Sequence, residues 1–220
     1  MSKIKRFNSF SDWEQACYLE IASVILSASK KKNIALSGGS TPISIYQRIG
    51  GLLQSLQESK IEGIRFFLVD ERNVSIESSL SNSAMIMNTI GRTLVVPFDP
   101  AKQSPESYYQ HMCQEIEGTG TFDLIVLGCG EDGHTASLFP NTRLLTDKSS
   151  SFRKNELPSG EFRYSMTFSL INNAKRKVVF VNDNKEKLKY FSSATLNAGA
   201  YPIHQVLSTQ NTEEIIHEEL

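Results

Sequence analysis

Asp132 and His134 stand two residues apart in a glycine-rich stretch, which we call the GCGEDGH turn (residues 128–134). A carboxylate beside an imidazole orients the ring and raises its basicity, which suits His134 to act as a general base near neutral pH. The same pair also fits an ordinary turn aspartate and a surface histidine. Because the turn follows an apolar run, and functional residues concentrate on such loops, its position favours the catalytic interpretation.

A second candidate segment is the SGGSTP loop (residues 37–42), which joins a predicted strand to a predicted helix. Gly38 and Gly39 let the backbone approach a ligand closely, and the helix start offers unpaired N–H groups at the positive end of its dipole. These features predict a phosphate-binding loop. They fit a tight, well-capped turn equally well.

The sequence matches the motifs of four other chemistries only in part. The letters GCGEDG match the dinucleotide fingerprint, but Pro140 leaves little room for the helix that this motif requires. Ser40, Asp70 and His134 follow the chain order of α/β-hydrolase triads, yet the G-x-S-x-G elbow is absent. Cys129 is a candidate thiol nucleophile, although a lone cysteine between glycines more often fills space. No further ligands stand at metal-binding spacing from this histidine, so we expect no metal site.

Strands that alternate with helices must position these residues. Alternating polarity predicts a half-buried strand over residues 163–170. Short, largely apolar runs predict buried strands over residues 33–36, 64–69, 122–127 and 178–181. Three of these buried strands run directly into SGGSTP, DER (residues 70–72) and GCGEDGH. Because the carboxyl ends of parallel strands line the ligand crevice of open α/β sheets, we expect these three segments to meet.

The helix after the SGGSTP loop should begin with Thr41 as its cap and Pro42 at its first position, and Gly50 and Gly51 should interrupt it. No internal repeat or linker divides the sequence. We therefore predict one α/β domain over residues 1–220, a doubly wound, mostly parallel central sheet with helices on both faces.

The composition excludes several classes of function. Hydrophobic residues make up 40% and charged residues 21% of the 220 residues, as in ordinary globular proteins. With 23 basic and 24 acidic side chains the net charge is −1, so no field attracts nucleic acid or an anionic membrane. No apolar run approaches the ~18 residues of a membrane span. The three cysteines lack CxxC spacing, which suits free thiols in the cytoplasm.

Three motifs together resemble the 6-phosphogluconolactonases of the pentose phosphate pathway: SGGSTP, DER followed by Ser81-Asn82, and FDLIVLGCGEDGHTASLFP. The resemblance implies a central parallel sheet and hydrolysis of 6-phospho-D-glucono-1,5-lactone to 6-phosphogluconate without a cofactor. The partner is then a small phosphosugar lactone, and we expect a monomer. Two family features are missing: the glycine that usually precedes the late lysine, here Lys185, and a C-terminal Trp-x-x-Asp segment.

Carried onto this chain, the resemblance assigns His134 as the general base and Asp132 as its partner. It assigns the sugar phosphate to the SGGSTP loop, with Arg72 contributing positive charge. The residues implied to bind the substrate and its phosphate are Gly38, Gly39, Ser40, Thr41, Asp70, Arg72, Arg163 and Lys185.

Two alternatives share this fold. Glucosamine-6-phosphate deaminases typically place Tyr after the first acidic pair and an acid before the proline that follows their histidine turn, where this chain has Arg72 and Phe139. Sugar-phosphate-binding modules of transcription regulators would need a DNA-binding helix-turn-helix, which this sequence does not show. We therefore expect the chain to turn over a phospholactone rather than only to bind it.

Overall fold

The framework of the computed structural model, which describes residues 3–116, 121–182, 185–192, 201–209 and 211–218, is a seven-stranded sheet. Its strands in chain order are β1 (Lys3–Phe7), β2 (Lys32–Leu36), β3 (Ile64–Leu68), β5 (Val95–Val96), β6 (Leu124–Gly128), β9 (Lys177–Val181) and β10 (Thr212–His217). Their order across the sheet is β1-β10-β9-β6-β2-β3-β5, and every neighbouring pair is parallel. The predicted parallel sheet is confirmed.

A second, three-stranded antiparallel sheet lies beside the first. It contains β4 (Asp70–Arg72), β7 (Phe152–Glu156) and β8 (Phe162–Met166), in the order β4-β8-β7. The DER segment is therefore more than the end of β3, because it leaves the main sheet and pairs with β8. The half-buried strand predicted over residues 163–170 was too long, since it ends at Met166 and Thr167 caps a short helix.

Helices connect the strands. They are α1 (Phe10–Ile25), α2 (Ile43–Ser55), α3 (Glu58–Ile61), α4 (Asn82–Ile90), α5 (Pro105–Glu115), α6 (Phe168–Asn172), α7 (Lys185–Leu188) and α8 (Pro202–Leu207). Every residue of β9 is buried, as are the first four of β6. Because side chains alternate between the two sides of a strand, both faces of the central sheet are covered.

The start and the course of α2 differ from the prediction. The helix begins at Ile43 with Pro42 as its N-cap, so Thr41 belongs to the preceding loop and does not cap the helix. The helix also continues through both glycines instead of stopping there. A Cβ atom on Gly50 would lie 2.1 Å from the carbonyl oxygen of Thr89, so this glycine allows α4 to pack closely against α2.

The chain reverses its direction of travel across the sheet between β2 and β6, which lie side by side. From β2 the chain moves outward to β3 and β5, and from β6 it moves outward on the other side to β9 and β10. Such a switch point leaves a crevice at the carboxyl ends of the two central strands. The SGGSTP loop follows β2 and the GCGEDGH turn begins at the end of β6, so both segments border this crevice.

The core contains large apolar side chains from both helices and strands. Trp13, Tyr46, Phe66, Phe67 and Tyr108 are fully buried. No helix in the described part of the chain is long and apolar enough to cross a membrane.

Candidate active site

A cavity of about 250 Å³ occupies the crevice at the switch point. It is lined by all six residues of the SGGSTP loop, by Gly128, Cys129, Gly130 and His134 of the GCGEDGH turn, and by Asp70 and Arg72 of β4. The remaining lining residues are Tyr46, Asn82, Val126, Leu127, Ala136, Phe180, Asn182 and Lys187. The three segments that the topology was expected to bring together thus meet in one cavity.

The SGGSTP loop is fixed at its first residue. The Ser37 hydroxyl donates to the carbonyl oxygen of Val126 on β6 at 2.9 Å, and the Tyr46 hydroxyl donates to the carbonyl oxygen of Ser37 at 3.0 Å. Gly39 has a φ of +97°, a conformation that glycine adopts without strain. The loop is therefore held firmly where it leaves β2, while its glycines leave backbone accessible to the cavity.

Gly38 has a second reason to be glycine. A Cβ atom on it would lie 1.9 Å from Oδ1 of Asn82, so the asparagine side chain occupies that space. The Nδ2 group of Asn82 donates to the carbonyl oxygen of Asp70 at 2.9 Å. Asn82 therefore packs between the SGGSTP loop and β4, a role that the sequence did not reveal.

The DER segment divides its side chains between two environments. Glu71 is fully buried and accepts hydrogen bonds from the Ser81 hydroxyl and from the backbone N–H groups of Arg72, Asn82 and Ser83. It thereby satisfies free N–H groups at the start of α4. Since side chains alternate along a strand, Asp70 and Arg72 lie on the side opposite Glu71, where both line the cavity.

Asp70 is a half-buried carboxylate in this cavity. The Ser137 hydroxyl donates to its Oδ2 at 2.7 Å. Burial raises the pKa of Asp70 above its ordinary value, and the neighbouring Glu71 charge adds to this effect, whereas the Ser137 hydrogen bond opposes it. The folded chain therefore holds a proton on Asp70 to higher pH than the unfolded chain does.

Among the described residues, Arg72 and Lys187 are the arginine and lysine side chains that line the cavity. Arg72 donates from Nη1 to the carbonyl oxygen of Leu80 at 2.6 Å, which restricts its position, and Lys187 extends from α7. Lys187 was not predicted, because the sequence pattern drew attention to Lys185. The Lys185 backbone begins α7, but its side chain lies outside the described part of the structure.

Arg163 lies directly opposite Arg72 in the β4–β8 ladder. Its guanidinium group donates to Glu161 Oε2 and to the carbonyl oxygen of Phe162, both at 3.3 Å. It is not among the residues that line the cavity. The structure thus places Arg163 next to the candidate phosphate site without bringing it into the lining.

The Asp132–His134 pair has the geometry of an oriented base. Asp132 Oδ1 lies 2.5 Å from His134 Nδ1 and also accepts the His134 backbone N–H at 3.1 Å. An ionised carboxylate only accepts hydrogen bonds, so Nδ1 carries the hydrogen and Nε2 is left with its lone pair. His134 lines the cavity, and its Nε2 lone pair is free to accept a proton.

Neighbouring residues fix the His134 ring. It stacks on Phe139 with 4.0 Å between ring centroids and 28° between planes. A Cβ atom on Gly130 would lie between 2.1 and 2.7 Å from three atoms of the imidazole, so the ring packs directly against the Gly130 backbone. The sequence pattern identified His134 but gave no indication of either contact.

Cys129 lines the same cavity as a free thiol. Burial raises the pKa of this thiol to about 12, so at neutral pH it is protonated and a poor nucleophile. Cys17 and Cys113 are free as well. Among the described residues, no group of three or more His, Cys, Asp or Glu side chains is arranged to hold a metal ion.

Comparison with known proteins decides the family. The family model described as glucosamine-6-phosphate isomerases/6-phosphogluconolactonase matches residues 11–216. The chain belongs to this family. A probable 6-phosphogluconolactonase from Dictyostelium discoideum is 30% identical over 227 residues, covering 94% of each chain. The 6-phosphogluconolactonase of Chlamydia trachomatis is 32% identical over 202 residues, covering 87% of this chain and 77% of that protein.

Solved structures of 6-phosphogluconolactonases share the fold of this chain. The 6-phosphogluconolactonase from Trypanosoma cruzi superposes with a TM-score of 0.85 at 23% identity, covering 100% of this chain and 95% of that one. The 6-phosphogluconolactonase from Thermotoga maritima gives a TM-score of 0.79, also at 23% identity, covering 99% and 100% of the two chains. At 23% identity these structures establish the fold of the present chain. Its chemistry has to be argued from its own residues.

Proposed function

We propose that this chain is a 6-phosphogluconolactonase, which hydrolyses 6-phospho-D-glucono-1,5-lactone to 6-phospho-D-gluconate. One observation carries the proposal. The oriented base His134 lines the same cavity as the SGGSTP loop and the cations Arg72 and Lys187. A base and a phosphate-binding surface within one small cavity suit a substrate that carries a reactive carbonyl at one end and a phosphate at the other.

The phosphate binds at the SGGSTP loop in this proposal. Gly38, Gly39, Ser40 and Thr41 supply backbone N–H groups and hydroxyls, and Arg72 and Lys187 supply positive charge. A forked guanidinium can donate two parallel hydrogen bonds to phosphate oxygens, whereas an ammonium acts as a point charge. Because the chain has a net charge of −1, this local cluster must select the anion without help from an overall field.

His134 activates the water. Its Nε2 takes a proton from a water molecule as the water oxygen attacks C1 of the lactone, while Asp132 holds Nδ1–H and stabilises the imidazolium that forms. The attack produces a tetrahedral intermediate with a negatively charged oxygen on C1. A δ-lactone is already an activated ester, so this single activated water is sufficient, and the reaction requires neither metal nor cofactor.

Ring opening completes the turnover. When the tetrahedral intermediate collapses, the bond between C1 and the ring oxygen breaks and the carboxyl group forms. The imidazolium of His134 returns its proton to the departing ring oxygen, which becomes the hydroxyl on C5. The base is then neutral again, and one water has been added across the ester.

Deamination of glucosamine 6-phosphate receives no support from this site. The residue before Pro140 is Phe139, and its ring stacks on His134 instead of offering a carboxylate.

The proposal extends to a monomer acting in the cytoplasm. Cys17, Cys113 and Cys129 are free thiols, as suits a reducing compartment.

Acid release from freshly generated 6-phosphogluconolactone, followed in a pH-stat, tests the proposal directly. We expect hydrolysis well above the spontaneous rate of the lactone and no ammonia release from glucosamine 6-phosphate under the same conditions. Unphosphorylated gluconolactone is the matched control, and we expect it to react much more slowly. Ammonia release without acceleration of the lactone would overturn the proposal.

A further inference from the structure

An aromatic pair supports the GCGEDGH turn from outside the cavity. Tyr190 and Tyr201 pack edge to face, with 4.6 Å between ring centroids and 66° between planes. Tyr190 is 2% exposed, and neither tyrosine lines the cavity. Both come from chain segments that follow β9, far from the turn in sequence.

Tyr190 makes a hydrogen bond to the turn. Its hydroxyl donates to the carbonyl oxygen of Glu131 at 2.7 Å. Burial raises the pKa of this phenol above its ordinary value, so the hydroxyl remains protonated and able to donate. Glu131 immediately precedes Asp132, and this bond therefore fixes the backbone just before the carboxylate that orients His134.

The other side of Asp132 is held by the same region. Gly133 has a φ of +78°, and its carbonyl oxygen accepts the backbone N–H of Ile203 at 3.1 Å. A Cβ atom on Gly133 would lie 3.0 Å from Tyr201 and 3.1 Å from the Tyr190 ring, so both rings contact this glycine. The peptide units 131–132 and 133–134, which enclose the segment from Asp132 to Gly133, are thus anchored from outside the cavity.

Tyr190 is itself held in place by α8. The Nε2 group of His204 lies 3.0 Å from the carbonyl oxygen of Tyr190, and because a carbonyl only accepts, Nε2 is the donor. His204 is 3% exposed and its ring packs edge to face on Tyr201. Tyr190 therefore has a fixed backbone and a fixed ring, which allows its hydroxyl to restrict the turn.

The contact between Asp132 and His134 depends on this restriction. Two side chains only two residues apart meet at 2.5 Å because the intervening backbone turns sharply, with the Gly133 N–H donating to the carbonyl oxygen of Gly130 at 3.1 Å. If the backbone at Glu131 moves, the carboxylate moves relative to the imidazole. A loss of orientation by even about 1 Å can slow an enzymatic reaction strongly.

We propose that Tyr190 is a positioning residue for the general base: its hydroxyl holds the Glu131 carbonyl and thereby keeps Asp132 aligned with His134. This inference rests on the proposed function for its effect on rate. It adds a residue that touches neither the substrate nor the reacting atoms, and that no motif in the sequence identifies.

Tyr190→Phe removes the hydroxyl and keeps the ring. We expect kcat to fall about tenfold, the effect of losing roughly one buried hydrogen bond, with KM for the phospholactone unchanged within about twofold. The acid limb of kcat/KM should move to lower pH, because a poorly aligned Asp132 stabilises the imidazolium less. Unchanged kcat and an unchanged pH profile would overturn the proposal.

Tyr108→Phe is the matched control. It also removes a buried hydroxyl, one that accepts the Leu68 N–H at 3.0 Å and donates to the carbonyl oxygen of Val96 at 3.1 Å, outside the cavity lining. We expect it to lower the midpoint of thermal unfolding without moving the pH profile. The same shift of the profile in Tyr108→Phe would show that general destabilisation is the cause and would overturn the proposal.

Hydrogen exchange separates this inference from the proposed function. Backbone amides of residues 130–134 should exchange faster in Tyr190→Phe than in the wild-type chain, while amides of β2 and β3 should not change. This readout does not require activity. If the wild-type chain has no lactonase activity, the proposed function is wrong. If the amides of residues 130–134 exchange at the same rate in Tyr190→Phe as in the wild-type chain, the role of Tyr190 is wrong.

Discussion

The imidazole of His134 occupies the space that a side chain at position 130 would need, because a Cβ atom on Gly130 would lie 2.1 Å from Cε1 of the ring. Gly130 is not among the glycines with a positive φ, so its backbone alone does not require glycine. The requirement comes from the ring. Gly130 thus helps to set the position of the proposed base, together with the stacked Phe139.

Gly130→Ala should therefore displace the base. We expect kcat to fall about 100-fold, at the lower end of what a general base contributes. The inhibition constant of 6-phosphogluconate should change little, since the phosphate-binding residues are untouched. Gly51→Ala is the control, because a Cβ at that exposed helix position meets nothing within 4 Å and should leave kcat unchanged. Wild-type kcat in Gly130→Ala would contradict the proposed role of the ring position.

The strands that could be predicted from the sequence are those whose own residues form a recognisable hydrophobic pattern. The central strands are short, largely apolar runs, a pattern typical of a strand buried on both faces or of a buried helix segment. Edge strand β1, with the sequence KIKRF, and β10, with TEEIIH, carry too many charges to be recognised in this way. Strand β4 has only three polar residues, and its strand conformation comes from pairing with β8, far along the chain.

The same division applies to the site. Motif residues such as Asp132, His134 and Gly38 were identified because their types and spacing are sufficient to suggest chemistry. Lys187 and Tyr190 could not be identified, because Lys187 meets the cavity, and Tyr190 meets the GCGEDGH turn, only through the packing of a segment more than 50 residues away from that turn in the chain. Spacing along a sequence carries no signal for contacts of this kind.

Lys187→Ala should weaken recognition of the phosphate. A hydrogen bond to a charged group contributes about 1.5–3 kcal/mol, so we expect kcat/KM on the phospholactone to fall by roughly 10- to 150-fold. The rate on unphosphorylated gluconolactone should be nearly unchanged, which initial rates on both substrates will measure. Lys175→Ala is the control, because Lys175 pairs with Asp123 at 2.8 Å and does not line the cavity.

Arg72→Ala should show the same selectivity for the phosphorylated substrate. Arg72 also donates to the carbonyl oxygen of Leu80, so equal losses on both lactones would instead assign it to holding that segment. Lys185→Ala tests the lysine that the sequence favoured. If Lys185→Ala lowers kcat/KM on the phospholactone as much as Lys187→Ala does, Lys185 also binds the phosphate. If only Lys185→Ala lowers it, the proposed role of Lys187 is contradicted.

Asp70→Asn should stabilise the fold at neutral and alkaline pH. Burial raises the pKa of Asp70 in the folded chain, so its ionisation costs stability as pH rises from the ordinary carboxyl range through the raised value. We expect the variant to have the higher midpoint of thermal unfolding at pH 8, with the difference narrowing towards pH 4. Activity should fall, because Asp70 lines the cavity.

Asp147→Asn provides a control of opposite sign. Hydrogen bonds from Ser149 lower the pKa of Asp147, so its charge stabilises the folded chain above the ordinary carboxyl range and the contribution is lost as pH falls. This variant should be less stable than the wild-type chain at pH 8. Equal melting curves for Asp70→Asn and the wild-type chain at every pH would contradict the argument from burial.

Cys129→Ala should keep most of the activity. The thiol is protonated at neutral pH because burial raises its pKa to about 12, so it is not the nucleophile that attacks the lactone. Intact-mass measurement of the wild-type chain during turnover should show no covalent adduct. A gluconoyl adduct on Cys129 or Ser40 would replace the direct attack of water by a two-step mechanism.

His134→Asn tests the mechanism itself. A general base contributes about 10²–10⁴-fold to rate, so kcat should fall by roughly that factor, while KM should change much less because the phosphate is held by other segments. Asparagine keeps hydrogen-bonding capacity at a similar volume, and circular dichroism will show whether the fold is intact. In the wild-type chain kcat/KM should fall at acid pH, where a protonated imidazole cannot accept a proton, and the variant should lack this limb. Asp132→Asn should reduce kcat less, because Asp132 orients the base without taking the proton from water. A folded His134→Asn variant with near-normal kcat would place the base elsewhere in the cavity.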